Sequence, residues 1–416
     1  MKILVKIIKW TAAILIAPAA LFLVIQVWFY FTAPIYKFAD PQPFSGDLWY
    51  NPYENMDSAC WKKANFHFHT REWGGLTAGK NNSEEAFRRV YQSLGYDIPL
   101  ISNYQSISGF DKDSSYYIGI YEHGYGIRKK HQLAIGATQV EWRDYSFYQN
   151  LHHRQHMINL LKKRSAIVAL AHPGWDNGYP PDQIGMLSNY DLIEAVNGNY
   201  RSIPLWDSAL SAGRPVYILA DDDSHDLTDP GEIGICVTWI NARDNTSEAI
   251  LGALKTGCAY GMDVFREQNE TWEDKILYHL NEMPYVSLVE ITGDTLRVRV
   301  SERAMKITLT GQGGAVRKEA TGTAVAAYAL QQSDTYIRTQ IVFFNDRGGP
   351  GTVIYLNPVF RYDASLPVNR LTAAVNTERT WIFRGLSFGS LILLVVFLVR
   401  LKKSRKKSAK ADEPGT

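Results

Sequence analysis

The stretch KANFHFHTREW, residues 63–73, places His67 and His69 two residues apart inside an apolar run. On a β-strand successive side chains alternate faces, so residues two apart point the same way. Both imidazoles then face one side, with Phe66 and Phe68 on the other. Two imidazoles on one strand face are half of a metal site or a coincidence, and the rest of the chain decides between these.

The chain has 416 residues, with 44 basic and 42 acidic side chains and a formal net charge of +2. That length accommodates two or more domains and a large core. The near-neutral balance argues against a nucleic-acid partner. Cys60, Cys236 and Cys258 lie far apart, in no metal or disulfide spacing, and do not fix the compartment. Two apolar segments do. Residues 10–35 are uncharged and long enough to cross a bilayer, and they follow Lys2, Lys6 and Lys9. A cleaved signal peptide is the alternative, but no small-x-small site follows the apolar core. A second span, residues 380–399, precedes a dense Lys/Arg cluster. Basic flanks stay cytoplasmic, so both termini are expected inside and everything between the spans outside. The expected location is a bacterial-type inner (plasma) membrane, with the central region periplasmic or extracellular.

Between the spans, short apolar runs end abruptly in polar or ionisable residues: ANFHFH, IPLISN, QLAIGA, AIVALAH, DLIEAVN, PVYILADDD and GICVTWIN. Each reads as a strand of a parallel sheet, buried on both faces. Helical patterns fall between several of them. NNSEEAFRRVYQSLGY offers Asn82 as a cap with Glu85 three residues later. DYSFYQNLHHRQHMINLLKKR has a basic last turn, and TSEAILGALKTG ends on Gly257. Strand and helix alternating is an α/β pattern; about seven strands suit a barrel better than a small open sheet. From about Phe265 polar and apolar residues alternate between Gly- and Asp-containing turns, which predicts a small antiparallel β-domain. The expected organisation is a transmembrane helix over 1–36, a linker over 37–63, the α/β unit over 64–263, a β-sandwich-like unit over 264–365, a linker over 366–379, a second transmembrane helix over 380–400 and a basic cytoplasmic tail over 401–416.

Ionisable groups gather at the strand ends, where a parallel barrel builds its site. His67 and His69 close the first strand, His172 closes AIVALAHPG, and Asp221, Asp222, Asp223 and His225 close ILADDDSHD. Glu122 and His131 flank a Gly-containing turn, with Glu141 a competitor for the role of Glu122. Imidazole and carboxylate without thiolate suit Zn, Mn or Fe. A carboxylate can bridge two such ions, and a paired site activates water and clamps both oxygens of a phosphoryl displacement. His152 and His156, one turn apart on a polar helix face, read as surface residues. His123 reads as a turn residue, and Glu194 and Asn197 as hydrogen-bonding groups at the rim. In REWGGLTAGK, Arg71 stands beside the histidines and can fork onto phosphoryl oxygens. Lys80, Lys129 and Lys130 are further cations, while the glycines equally suit a tight turn.

His-x-His on the first strand, His-Pro-Gly after a middle strand and Asp-x-His after a late one resemble the polymerase and histidinol phosphatase (PHP) domain family, over roughly residues 64–263. EAILGALKTGCAYG resembles the last helix and turn of that family, and LIEAVNGN its Ile-Glu-x-x-Asn segment. The resemblance implies a distorted (β/α)7 PHP-type barrel that hydrolyses phosphate esters with two or three metals. By position it implies that His67, His69 and Asp223 hold a first ion, that Glu122 bridges to a second held by His131 and His172, and that His225 matches a ligand of a third. The chain departs from the family pattern twice. Ser102-Asn103-Tyr104 stands where the second strand usually ends in Thr-Asp-His, and the loop after His69 lacks the usual acid or histidine. Two divalent ions (Zn, Mn or Fe) are therefore expected, with His225 left as a hydrogen-bond donor or a group behind the ligands, the leaving group protonated by His225 or by water, and Arg71 to contact the phosphoryl group. The implied activity is hydrolysis by a metal-bound hydroxide, outside the membrane, of a phosphorylated small molecule, lipid headgroup or envelope glycan. The rivals are a catalytically inactive scaffold of the cell envelope, motivated by the missing ligands, and a paired-metal hydrolase of non-phosphate esters or amides.

Overall fold

The computed structural model describes residues 2–77, 79, 82–198, 200–267, 270–366 and 371–411; Lys80 lies outside them. The strands that frame the site are β1 (Trp61–Asn65), β2 (Ile98–Pro99), β3 (Ile120–His123), β4 (Gln132–Ile135), β5 (Ile167–Leu170), β6 (Leu192–Asn197), β7 (Tyr217–Asp221), β8 (Cys236–Asn241) and β9 (Ala259–Asp263). Beyond them run β10 (Val286–Thr292), β11 (Thr295–Gly311), β12 (Ala315–Ala329), β13 (Tyr336–Phe344), β14 (Pro350–Leu356) and β15 (Val359–Tyr362). One sheet has the order β7-β6-β5-β4-β3; the other has the order β10-β11-β13-β14-β9-β8-β1-β2. Single parallel bridges, Phe68 to Ser224 and Tyr104 to Glu122, join the two sheets at the end that carries the ionisable residues.

β1 with β2, β5 with β6 and β6 with β7 are parallel, and β5 and β6 are buried at every residue, as a strand covered on both faces must be. The all-parallel expectation fails elsewhere. β4 is antiparallel to β3 and β5, and β8 is antiparallel to β1 and β9. At β3 and β4 the reason is length. A parallel return needs a crossover of roughly a dozen residues or more, and only residues 124–131 connect these strands.

The main helices are α1 (Lys2–Phe31), α2 (Glu84–Ser93), α3 (Leu151–Lys162), α4 (Ile203–Ser211), α5 (Ser247–Thr256) and α6 (Thr377–Ala411). Ser83, not Asn82, caps α2 by accepting from Ala86 N. Asn82 is buried and uses its amide for tertiary contacts: Nδ2 donates to His69 O at 3.0 Å, and Oδ1 accepts from Leu227 N at 3.0 Å. Gly257 ends α5 with φ +75°, a left-handed conformation that favours glycine. His152 and His156, expected in solvent, are partly covered. His152 Nδ1 accepts from Tyr36 N at 3.0 Å, and His156 Nδ1 lies 2.6 Å from the Tyr145 hydroxyl, because the chain around residues 36 and 145 crosses that face of α3.

The alternating region forms β10–β15 and meets the α/β part edge to edge, with β14 antiparallel to β9 and Tyr260 opposite Leu356. One apolar core holds Phe68, Tyr91, Val237 and Met262 together with Val298, Ile341 and Ile354. The stretch 37–63, expected as a linker, is a packed strap: Leu48–Tyr50 pairs with β15, and Phe44 stacks on Phe360 at 4.6 Å.

α6 is long and apolar enough to cross a membrane over Thr377–Arg405. The tail expected to follow it does not begin as a separate segment, since the helix runs on to Ala411. Among the described residues, α1 carries a shorter apolar stretch, Ile16–Phe31. The two helices touch. Trp28 and Phe31 lie 5.9 and 5.6 Å from Phe388, and Arg384 Nη2 donates to Thr32 O at 2.6 Å.

Candidate metal centre

His67 and His69 lie just past β1, on extended chain tied down along its length. Asp223 N donates to His67 O at 3.0 Å, and His69 N to Ser224 O at 3.1 Å. Phe66 and Phe68 are both fully buried, in different cores. Their burial fixes the alternation and leaves the two imidazoles side by side, with ring centroids 5.1 Å apart. Glu122 comes from β3; His131 precedes β4, His172 follows β5 and Asp223 follows β7.

Glu122 joins these side chains. Its Oε2 lies 3.4 Å from His67 Nε2 and 3.2 Å from His69 Nε2; its Oε1 lies 2.5 Å from His131 Nδ1 and 3.0 Å from His172 Nε2. Asp223 Oδ1 is 3.1 Å from His67 Nε2 and 3.2 Å from His69 Nε2. Two ligand sets result, His67–His69–Glu122–Asp223 and Glu122–His131–His172, each with its donor atoms within 4.8 Å of one another. The six residues named from the sequence are thus in mutual reach, and Glu122 is common to both sets.

The donor atoms fit a cation better than they fit each other. His67 Nε2, His69 Nε2, Glu122 Oε2, His131 Nδ1 and Asp223 Oδ1 are buried, and none makes a hydrogen bond of acceptable geometry. A buried polar atom left without a partner costs about 1–3 kcal/mol. A divalent ion would satisfy these atoms together, and imidazole with carboxylate is a donor set that suits Zn, Mn or Fe. Backbone strain marks the same place: His172 has φ +27° and Asp223 φ +50°. Left-handed backbone costs a non-glycine residue about 1–3 kcal/mol and persists where surrounding bonds hold it. His172 N donates to Glu194 Oε2 at 2.7 Å, one such bond.

Electrostatics follow the same geometry. Burial raises the carboxyl pKa of Glu122, but His131 and His67 outweigh burial and hold it well below the usual range. Burial opposes charge on His67, yet Asp223, Glu194 and Glu122 hold its pKa well above that of a free imidazole. Burial also raises the Asp223 carboxyl, and His67 and His69 reverse it, so Asp223 is ionised. Asp221 goes the other way. Burial and the neighbouring Glu194 push its pKa far up, against the pull of the Phe66 N–H and His67.

An outer ring orients the ligands. Glu194 Oε1 lies 2.9 Å from His67 Nδ1, and Asn197 Nδ2 donates to Asp223 Oδ2 at 3.2 Å. Ser102-Asn103-Tyr104 has its own work. Ser102 Oγ accepts from Phe68 N at 3.1 Å, and Asn103 Oδ1 accepts from Thr70 N at 2.8 Å, clasping the chain that carries the two histidines. Tyr104 stacks on His69 with ring centroids 4.3 Å apart. His225 stacks on the same imidazole at 4.4 Å; its Nδ1 lies 2.9 Å from Asp223 O and its Nε2 3.5 Å from the Tyr104 hydroxyl.

The remaining candidates lie outside the two ligand sets. Glu141 accepts from Arg143 N at 2.9 Å and pairs with Arg164 at 3.0 Å, outside both ligand sets. His123 bridges Gln132 Oε1 and Arg143 O, at 3.0 and 2.9 Å. Arg71 is exposed, and Gly74 and Gly75 beside it turn with φ +65° and +87°. Lys130 is buried, while Lys129 lies over the Trp175 ring at 5.6 Å. Sequence reasoning missed the roles of Asn82, Asn103 and Tyr104. The last two sat in the tripeptide that departs from the family pattern, and the departure itself was the signal.

No family model matches the sequence, and neither does any curated protein. A solved structure from Bacteroides vulgatus ATCC 8482, a two-domain protein containing a predicted PHP-like metal-dependent phosphoesterase, aligns over 81% of this chain and 98% of its own, at 14% identity and a TM-score of 0.39.

Proposed function

We propose that this chain is a membrane-anchored, outward-facing, metal-dependent phosphoesterase built on a PHP-type barrel. The observation that carries the reading is the sharing of Glu122 between two ligand sets, five of whose buried donor atoms make no hydrogen bond. His67, His69, Glu122 and Asp223 would hold one divalent ion, and Glu122, His131 and His172 the other. Bound together, such ions lower the pKa of water and neutralise charge on a phosphoryl group in transfer. Glu194 and Asn197 keep His67 and Asp223 aimed inward. Tyr104 and His225 cover the open face of His69 and keep bulk water from it. His225 is held by its Nδ1 at Asp223 O, which leaves Nε2 as the atom that exchanges a proton with the leaving group. Arg71, two residues beyond His69, is the cation proposed to meet the phosphoryl oxygens. α1 and α6 are read as the two anchors, with both termini in the cytoplasm.

Metal analysis and a simple assay test this together. The purified full chain is expected to hold about two divalent ions and to hydrolyse bis(4-nitrophenyl) phosphate with Zn or Mn. A chain that holds no ions and leaves the ester intact would be the scaffold protein instead.

A further inference from the structure

A groove of about 530 Å³ opens beside His131 and is lined by Trp73, Leu76, Tyr104, Tyr125, Lys129 and Trp142. Its inner end is polar, with His131 of the metal cluster and the Lys129 cation. Its outer end is apolar. Leu76 is 91% exposed and Trp142 55%, and the Trp73 and Trp142 rings meet edge to face with centroids 5.9 Å apart.

That outer wall is fastened to α1. The Tyr125 hydroxyl donates to Trp142 O at 2.6 Å and faces Gln26 of α1. Gln26 Oε1 accepts from Ser146 N at 3.0 Å, and the Tyr30 hydroxyl accepts from Phe147 N and Tyr148 N at 3.0 and 2.8 Å. The Phe147 ring meets Phe22 at 6.2 Å. Phe22 precedes Phe31 by nine positions, which places it about 13 Å down the helix at a rise of about 1.5 Å per residue. α1 also touches Phe388 of α6, the helix of membrane-crossing length. Ile127 and Tyr148 on the same wall are 72% and 66% exposed. Exposed aromatic and aliphatic side chains beside the outer part of a helix pair are the pattern of a membrane interface. With α1 and α6 read as the membrane anchors, the groove runs from the metal cluster towards the bilayer surface.

We propose that the centre acts on a lipid-linked phosphate ester. The lipid chain enters past Leu76 and Trp142, Lys129 meets the phosphate charge, and the phosphorus comes to rest beside His131. Water supplies the new oxygen on phosphorus, the P–O bond to the leaving group breaks, and the leaving oxygen takes the proton. This inference rests on the phosphoesterase reading above and names its class of substrate.

A series of 4-nitrophenyl alkyl phosphodiesters, ethyl to octyl, tests it on the full chain in detergent with Zn or Mn. Wild-type kcat/KM is expected to rise at least about tenfold from ethyl to octyl, since each methylene moved from water into an apolar site favours binding. The double variant Leu76→Ala, Trp142→Ala is expected to have less than half the wild-type slope of log(kcat/KM) against chain length. Partition into detergent is common to both proteins, so the difference in slope is the readout. Equal slopes overturn the lipid proposal, while turnover of the ethyl ester still upholds the phosphoesterase. If no ester is cleaved, the phosphoesterase reading falls and this proposal falls with it as a statement about substrate. Binding of octylphosphonate against ethylphosphonate by the two proteins then decides the groove alone: chain-length preference lost in the variant upholds it, and no preference overturns it.

Discussion

Glu194 Oε1 lies 2.9 Å from Nδ1 of His67, the ring nitrogen turned away from the ligand cluster. The contact fixes the tautomer, leaving Nε2 to face Glu122 and Asp223, and it makes the imidazole a better donor. Carboxylates behind a ligating histidine typically contribute 10–100-fold, roughly, to metal affinity. Glu194→Gln is expected to lower affinity for the first ion by about that factor, read by titration against a competing chelator. Unchanged affinity would show that His67 does not ligate through Nε2.

Glu141 competes with Glu122 for the bridging role in the sequence, and the fold separates them. Glu122 reaches four histidines, whereas Glu141 pairs with Arg164. Glu122→Gln is expected to cut bound metal from about two ions per chain to less than about one, because a bridging carboxylate serves both ions. Glu141→Gln should keep the full complement. Equal ion content in the two variants would sink the two-ion centre.

The cluster was legible because its ligands lie in or beside short buried strands, with His67, His69, His172 and Asp223 just past β1, β5 and β7, and the period-two alternation at His67 and His69 depends only on local backbone. Residues 124–131 were equally legible as a turn, but not the antiparallel pairing that the short turn imposes on β4. The strap over 37–63 escaped notice for another reason. Phe44 and Leu48 find their partners, Phe360 and Tyr362, more than three hundred residues away, and no local pattern reports that. Asn82 looked like a cap because caps and buried amides share one residue type; only the fold shows its side chain turned towards His69 and Leu227.

Burial, with His69 stacked alongside, pushes the His225 pKa below that of a free imidazole. A proton on its Nε2 is therefore readily given up, and only a leaving group of high pKa needs it. His225→Ala is expected to slow esters with alkoxide leaving groups by about a hundredfold, within the usual range for general acid catalysis. Nitrophenolate esters should lose far less. For the alkoxide esters, wild-type kcat/KM should fall as pH rises through a value below about 6.5, the ordinary imidazole pKa, and the variant should lack that limb. Equal losses on both ester types would make His225 a positioning residue rather than a proton donor.

Lys63 sits on β1, 2% exposed, with Nζ donating to Leu94 O at 2.9 Å and His279 O at 2.8 Å. Burial pushes its pKa down to about 7, although Asp97 pulls the other way. In the unfolded chain a lysine titrates near about 10.4. Between those values the unfolded state binds more protons than the folded one, so stability must rise with pH. Below the lower value both states are protonated, and the penalty is constant. The thermal unfolding midpoint of the wild type is therefore expected to climb from pH 7 to about pH 9, short of the range where tyrosines begin to titrate. Lys63→Met should lower or raise the midpoint uniformly while flattening that climb. The slope is the readout, because the two carbonyls left unpaired affect every pH alike. Parallel curves for the two proteins would mean that the Lys63 ammonium reaches water and that β1 is not sealed beneath the site.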